Sequence, residues 1–320
     1  MNAVLAYRTP AEAPVWRRRL LLSPLARIVL FVLLVVAAGF LVHGILSLLG
    51  WMSKDTPRPQ AIAAAMLQTV VPTVFAYAVL VWWVERRRAR ELATARPLRD
   101  VLAGLAVGAG YMAAVVAVLW LLGAYEVVDT RTGIPFAGSL LIAGVATGIA
   151  EEIVFRGVLF RIVEEGLGTW AALLASALLF GFAHIHNPGA TVWSSLAIAI
   201  EAGLLLGMVY QVTRSLLLCM ALHAAWNFTQ GTVFGVAVSG LPTKNSWLVP
   251  RMHGPDWLTG GAFGLEASVV AAGLGALVAA LLLVHAGRNG TLVPWRPRAV
   301  PAAAPPASDN EVPALVTPPC

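Results

Sequence analysis

Residues 28–50 read IVLFVLLVVAAGFLVHGILSLLG, twenty-three positions without an Asp, Glu, Lys or Arg. Coiled as a helix at about 1.5 Å per residue, such a run covers the roughly 30 Å of a bilayer's hydrocarbon core. It is too long and begins too deep in the chain to be a cleaved signal peptide. Seven more apolar segments follow, at 61–84, 101–123, 137–160, 168–185, 192–212, 216–235 and 262–285. Of 320 residues 59% are hydrophobic and 12% charged, about half the charge of an ordinary soluble domain. The expected fold is therefore all-α, a polytopic transmembrane helix bundle of about eight spans.

The positive charges orient that bundle. With eight crossings and a cytoplasmic N-terminus, sixteen Arg residues fall inside, among them Arg17–Arg19, Arg27, Arg86–Arg88, Arg161, Arg214 and Arg288. Five basic residues fall outside (Lys54, Arg58, Arg131, Lys244 and Arg251), and Arg156 lies within a span. This asymmetry predicts cytoplasmic termini and supports an even number of spans. It also accounts for the net charge of +6 without a nucleic-acid partner. The expected location is a multi-pass protein of the bacterial inner membrane, the bacterial source suggested by the Ala-, Leu-, Arg- and Pro-rich usage.

Residues 1–27 read as a basic cytoplasmic segment and 28–287 as the transmembrane domain. Residues 288–320, rich in Pro and Ala, read as a disordered tail. Cys219 and Cys320 form neither a metal-spaced set nor a disulfide framework. The stretch 236–261, with Trp247, Pro250 and Trp257, is expected to be an interfacial loop, or else an aromatic-anchored cap on the outer surface.

Against this background the polar residues inside spans stand out, because a charge near the bilayer centre costs at least about 2.5–3.5 kcal/mol. The fourth segment carries Glu151-Glu152-Ile-Val-Phe-Arg156, the fifth Phe180-Gly-Phe-Ala-His184, and the seventh His223-Ala-Ala-Trp-Asn227. Glu152 and Arg156 share a helix face at i, i+4, with the acid N-terminal to the base. Glu151 is rotated about 100° away and free to face a cavity. A buried polar network that merely fixes helix packing is the bland alternative. His223 and Asn227 share a face, as do Phe180 and His184. Glu201, beside Gly203 and Gly207, reads as a packing acid or a partner of another span, and His186 as a solvated loop residue.

Together these groups suit hydrolysis. A glutamate and a neutral histidine can accept and relay a water proton, while a second histidine and a carboxamide can donate to an oxyanion. No GxSxG elbow and no HExxH is present.

The three motifs, in this order on successive apolar segments, resemble the CAAX protease and bacteriocin-processing (CPBP, or Abi) family of intramembrane proteases. The resemblance covers roughly residues 137–235. It implies an intramembrane endopeptidase acting on a membrane-associated protein or peptide. Glu151 and His184 would activate the water, His223 and Asn227 would form the oxyanion hole, and Glu152, Arg156 and Phe180 would support the site. A cofactor-free glutamate mechanism is preferred. The alternative is a divalent metal such as zinc held by Glu151, His184 and His223. Two non-hydrolytic readings compete: an immunity or chaperone-like protein on the same scaffold, and a transporter whose ion path is marked by Glu151, Arg156 and Glu201. The expected segment boundaries leave one tension. They put Glu151 and His223 about 14 and 11 Å above the cytoplasmic side but His184 about 24 Å above it.

Overall fold

A computed structural model describes residues 5–295 except 8, 11 and 244. Most of the expected tail, with Cys320, lies outside the described residues. The described residues form a bundle of eight long helical segments. α1 is Pro24–Leu48, α2 Arg58–Val84, α3 Pro97–Leu121, α6 Val192–Thr213 and α8 Val269–Arg288. The run Phe136–Ala183 is broken at Gly168, whose φ of 82° and ψ of 174° are non-helical, so it divides into α4 (136–167) and α5 (169–183). α7 is Leu216–Phe228, prolonged by a π-helical turn over Thr229–Val233. Six continuous helices among the described residues are long and apolar enough to cross a membrane. The Gly168 break and α7 account for the difference from eight.

Local chemistry sets the ends. Ser23, Ser215 and Ser268 each accept from the backbone N–H three residues on, capping α1, α7 and α8. Thr191 and Ser194 form a reciprocal cap on α6.

Two expected boundaries move by seven residues. α4 runs to 167 rather than 160, because Arg161 and Glu164 are buried in ion pairs instead of marking a solvated turn. α8 begins at Val269 rather than 262, and Glu266 just before it is buried. Residues 289–295 are not free tail. Val293 exchanges hydrogen bonds with Thr169, and Gln211 donates to Thr291 O at 2.9 Å.

The stretch 236–261 is more ordered than an interfacial loop. Its strand β2 (Leu248–Met252) pairs antiparallel with β1 (Tyr125–Thr130), which follows α3. Trp247 and Trp257 are exposed.

The end of the bundle opposite this sheet is tied by charge. Arg27 and Arg161 both donate to Glu85 Oε1, at 2.7 and 2.9 Å, and both reach Glu165. Arg87 bridges Glu85 and Glu91, and Arg214 pairs with Glu164. Burial alone would raise the Glu85 carboxyl, but Arg161, Arg87 and Arg27 hold it below its ordinary value.

The core of the bundle is a slot for α7. Gly104 and Gly108 of α3 lie against it on one side, where an added Cβ would sit 2.4 Å from Leu218 O and 2.1 Å from Leu222 O. Gly144 and Gly148 of α4 approach it on the other, at 3.0 Å from Ala224 O and 2.8 Å from Met220 O. Two small-xxx-small faces thus clamp one helix backbone. That clamp presents the α7 side chains to α4.

Candidate active site

Clamping α7 against Gly148 brings His223 beside the neighbouring acids of α4. His223 Nδ1 lies 2.8 Å from Glu152 Oε1 and Nε2 lies 3.8 Å from Glu151 Oε2. Glu152 Oε1 also accepts from Arg156 Nη1 at 2.8 Å, in a pair with no solvent exposure on either side. Arg156 spends its other amino group on Ala202 O and Gly203 O of α6, at 2.9 and 3.2 Å. Its guanidinium lies 4.9 Å above the Phe180 ring. Phe180 in turn packs edge-on to His223 and against His184. Breaking the Glu152–Arg156 pair from one side would leave a buried charge uncompensated.

The carboxylates are sorted as the helix geometry predicts. Glu152 is buried with its Oε1 doubly engaged, whereas the Glu151 side chain is 27% exposed and lines a cavity; Oε2 of each has no hydrogen-bond partner. His184 closes the C-terminal end of α5, its Nδ1 2.8 Å from Phe180 O. A carbonyl can only accept, so Nδ1 carries a proton and Nε2 is the ring nitrogen left for another partner. Glu152 Oε1 likewise accepts from the His223 Nδ1–H. Asn227 donates from Nδ2 to Ala143 O at 3.0 Å, leaving one amide N–H unspent.

Glu151, His184, His223 and Asn227 all line one cavity of about 650 Å³. The depth tension is thereby removed. Glu151 lies 17 residues before Gly168 and His184 16 residues after it, nearly equal counts along the two arms. The expected disparity came from ending the fourth segment seven residues early. His223 is higher than expected because α7 starts inside the bundle: Leu216 is fully buried, its N–H bonded to Glu91 O at 2.8 Å.

Other expectations fall outside the cavity. Glu201 is buried beneath Tyr111 and against Gly275, and His186 is exposed. Arg156 and Glu201 do not line the cavity with Glu151 among the described residues, so the three do not mark a shared ion path. Nor do Glu151, His184 and His223 form a ligand set: among the described residues no group of three His, Cys, Asp or Glu side chains is placed to hold a metal.

The sequence reading missed the outer wall. Ser239 O accepts from Asn187 Nδ2 at 2.8 Å, while Ser239 N and Oγ both donate to buried Glu266, which Gln230 also holds. A signal existed, since Glu266 was an uncompensated acid inside an expected span. The partnership with Ser239, a loop residue, left no trace in spacing.

Residues 133–229 match the family model for Rce1-like proteins, described as type II CAAX prenyl endopeptidase Rce1-like. The match is a similarity to the CPBP family that the motifs resemble. It spans under a third of the sequence, and that third holds α4 to α7 with every motif residue named above. No curated protein matches the chain. The CPBP match and the six apolar helices make this an integral, multi-pass membrane protein and suggest a protease.

Proposed function

We propose that the protein is an intramembrane endopeptidase that cuts a membrane-associated protein or peptide without a metal. The observation that carries this reading is the placement of Glu151. Its carboxylate lines the cavity 3.8 Å from His223 Nε2, while the adjacent Glu152 is consumed by Arg156 and His223.

In this mechanism a water lies between Glu151 and the free Nε2 of His184. Glu151 takes one proton as the water oxygen bonds to the scissile carbonyl carbon. That proton passes to Nε2 of His223, whose positive charge is balanced by Glu152 at Nδ1. His223 and the unspent N–H of Asn227 then donate to the oxyanion. Collapse breaks the C–N bond, and the proton leaves on the departing amine. Glu152 is a positioning residue: it holds the His223 tautomer and orientation. Arg156 and Phe180 hold Glu152 and both imidazoles in place.

The deciding experiment compares wild type with Glu151→Gln on a native substrate in strong chelator. Wild type is expected to cleave in chelator. The variant is expected to lose about 10²–10⁴-fold in rate at normal abundance in the membrane. Wild-type cleavage by Glu151→Gln would sink the assignment and favour a non-catalytic scaffold. Cleavage restored only by added metal would sink the metal-free mechanism.

A further inference from the structure

The cavity and the cationic surface occupy opposite ends of the bundle. At one end the cavity is lined by Arg58 in the first turn of α2, Pro135 before α4, Asn187 after α5, and Leu241, Thr243 and Asn245 before β2, and we read that end as its mouth. These segments are locked to one another. β1 pairs with β2, Asn187 donates to Ser239 O, and Gly240 N donates to Phe263 O at 2.7 Å. The ion-pair network of Arg27, Glu85, Arg87, Arg161 and Glu165 lies at the other ends of the same helices. The Arg86–Arg90 cluster and the Arg17–Arg19 triplet flank it.

The short helix α5 shows how the site meets the mouth. Its fifteen residues rise about 22 Å, less than the roughly 30 Å of the hydrocarbon core. The segments beyond α5 supply the rest of the wall, through Asn187 and through Val238, Ser239, Leu241, Pro242 and Thr243. The result is a well sunk from the end that carries few positive charges. Arg-rich ends are retained in the cytoplasm, which fixes the direction in which the well points.

From this placement we infer that the cavity opens to the extracytoplasmic side, so that its substrate is a membrane-anchored chain presenting the scissile bond beyond the cytoplasmic leaflet. The substrate class rests on the protease reading above; the side of opening does not.

The test uses the full chain with Cys219→Ser and Cys320→Ser, carrying a single new cysteine at the mouth (Thr243→Cys) or in the Arg cluster (Arg90→Cys). Spheroplasts are treated with a membrane-impermeant sulfonated maleimide before or after permeabilisation. Thr243→Cys is expected to label equally in both conditions and Arg90→Cys only after permeabilisation. The reverse pattern would overturn the inference. Should the cysteine-free background fail to accumulate, a reporter fused after Cys320 in the native chain decides the same point. It is expected to be active as a cytoplasmic reporter and silent as a periplasmic one, and the opposite result overturns the inference. Adding Glu151→Gln to Thr243→Cys is expected to leave labelling unchanged. A failed protease reading would thus alter cleavage and leave this readout intact.

Discussion

His223 Nδ1 and Glu152 Oε1 lie 2.8 Å apart across 71 residues of sequence, on the oxygen that Arg156 also binds. One carboxylate oxygen therefore orients a histidine and neutralises a buried cation at once. The other ring nitrogen, His223 Nε2, faces Glu151 Oε2 at 3.8 Å.

Glu152→Gln is accordingly expected to injure both stability and turnover. Leaving Arg156 buried and unpaired costs about 3–5 kcal/mol, read as lower abundance and lower Tm in detergent. Adding Arg156→Gln should recover much of the stability. Cleavage should stay low, because His223 still lacks its carboxylate. A fully active Glu152→Gln would show that His223 needs no anionic partner.

Asn227→Ala separates the two properties. Loss of an oxyanion donor is expected to lower kcat by about 10²–10³-fold. The structural loss is one hydrogen bond to Ala143 O, worth about 1 kcal/mol. Unfolding that matches the activity loss would identify Asn227 as a packing residue instead.

The α7 slot offers a test of positioning from outside the cavity. Gly108→Ala would drive a methyl to within 2.1 Å of Leu222 O, and overpacking of this kind costs about 1–3 kcal/mol. Tm and cleavage are expected to fall together as His223 shifts. Gly110→Ala, two residues along the same helix with open space at its Cβ, should leave both unchanged.

Acid should loosen the ion-paired end of the bundle first. Arg161, Arg87 and Arg27 outweigh burial and depress the folded Glu85 carboxyl, so the sign follows directly. Its stabilisation is fully present above the unfolded value, near 4.3, and is lost as pH falls below that through the depressed folded value. Tm measured from pH 7 downward should fall most steeply below about pH 4.3, and Glu85→Gln should flatten that part of the profile. An unchanged profile in the variant would remove Glu85 from the account.

How much of this was legible in the sequence depends on range. Spans and helix faces are local patterns, so the bundle and the separation of Glu151 from Glu152 could be read at i and i+4. The Glu152–His223 contact could not, because it depends on which glycines α7 packs against. Arg27, Arg161 and Arg214 were legible as topology charges, yet they also pair with Glu85, Glu165 and Glu164. That second role hid the end of α4: the hydrophilic run Arg161–Glu165 looks like a turn until its partners on other helices are known. The β1–β2 pairing joins segments more than a hundred residues apart and leaves no periodic trace.

The break at Gly168 acts as a plumb bob for the whole site. Glu151 and His184 hang at nearly equal counts from it, and its left-handed φ and the close approach of Val293 O, 2.7 Å from where a Cβ would stand, admit no other residue without strain. A single residue inserted between Gly168 and either group would raise that group about 1.5 Å and swing it about 100° around its helix, out of the cavity. The spacing 151–168–184 is thus a molecular ruler, so length changes tolerated in surface loops should be lethal to activity in these two arms, far from the atoms they align.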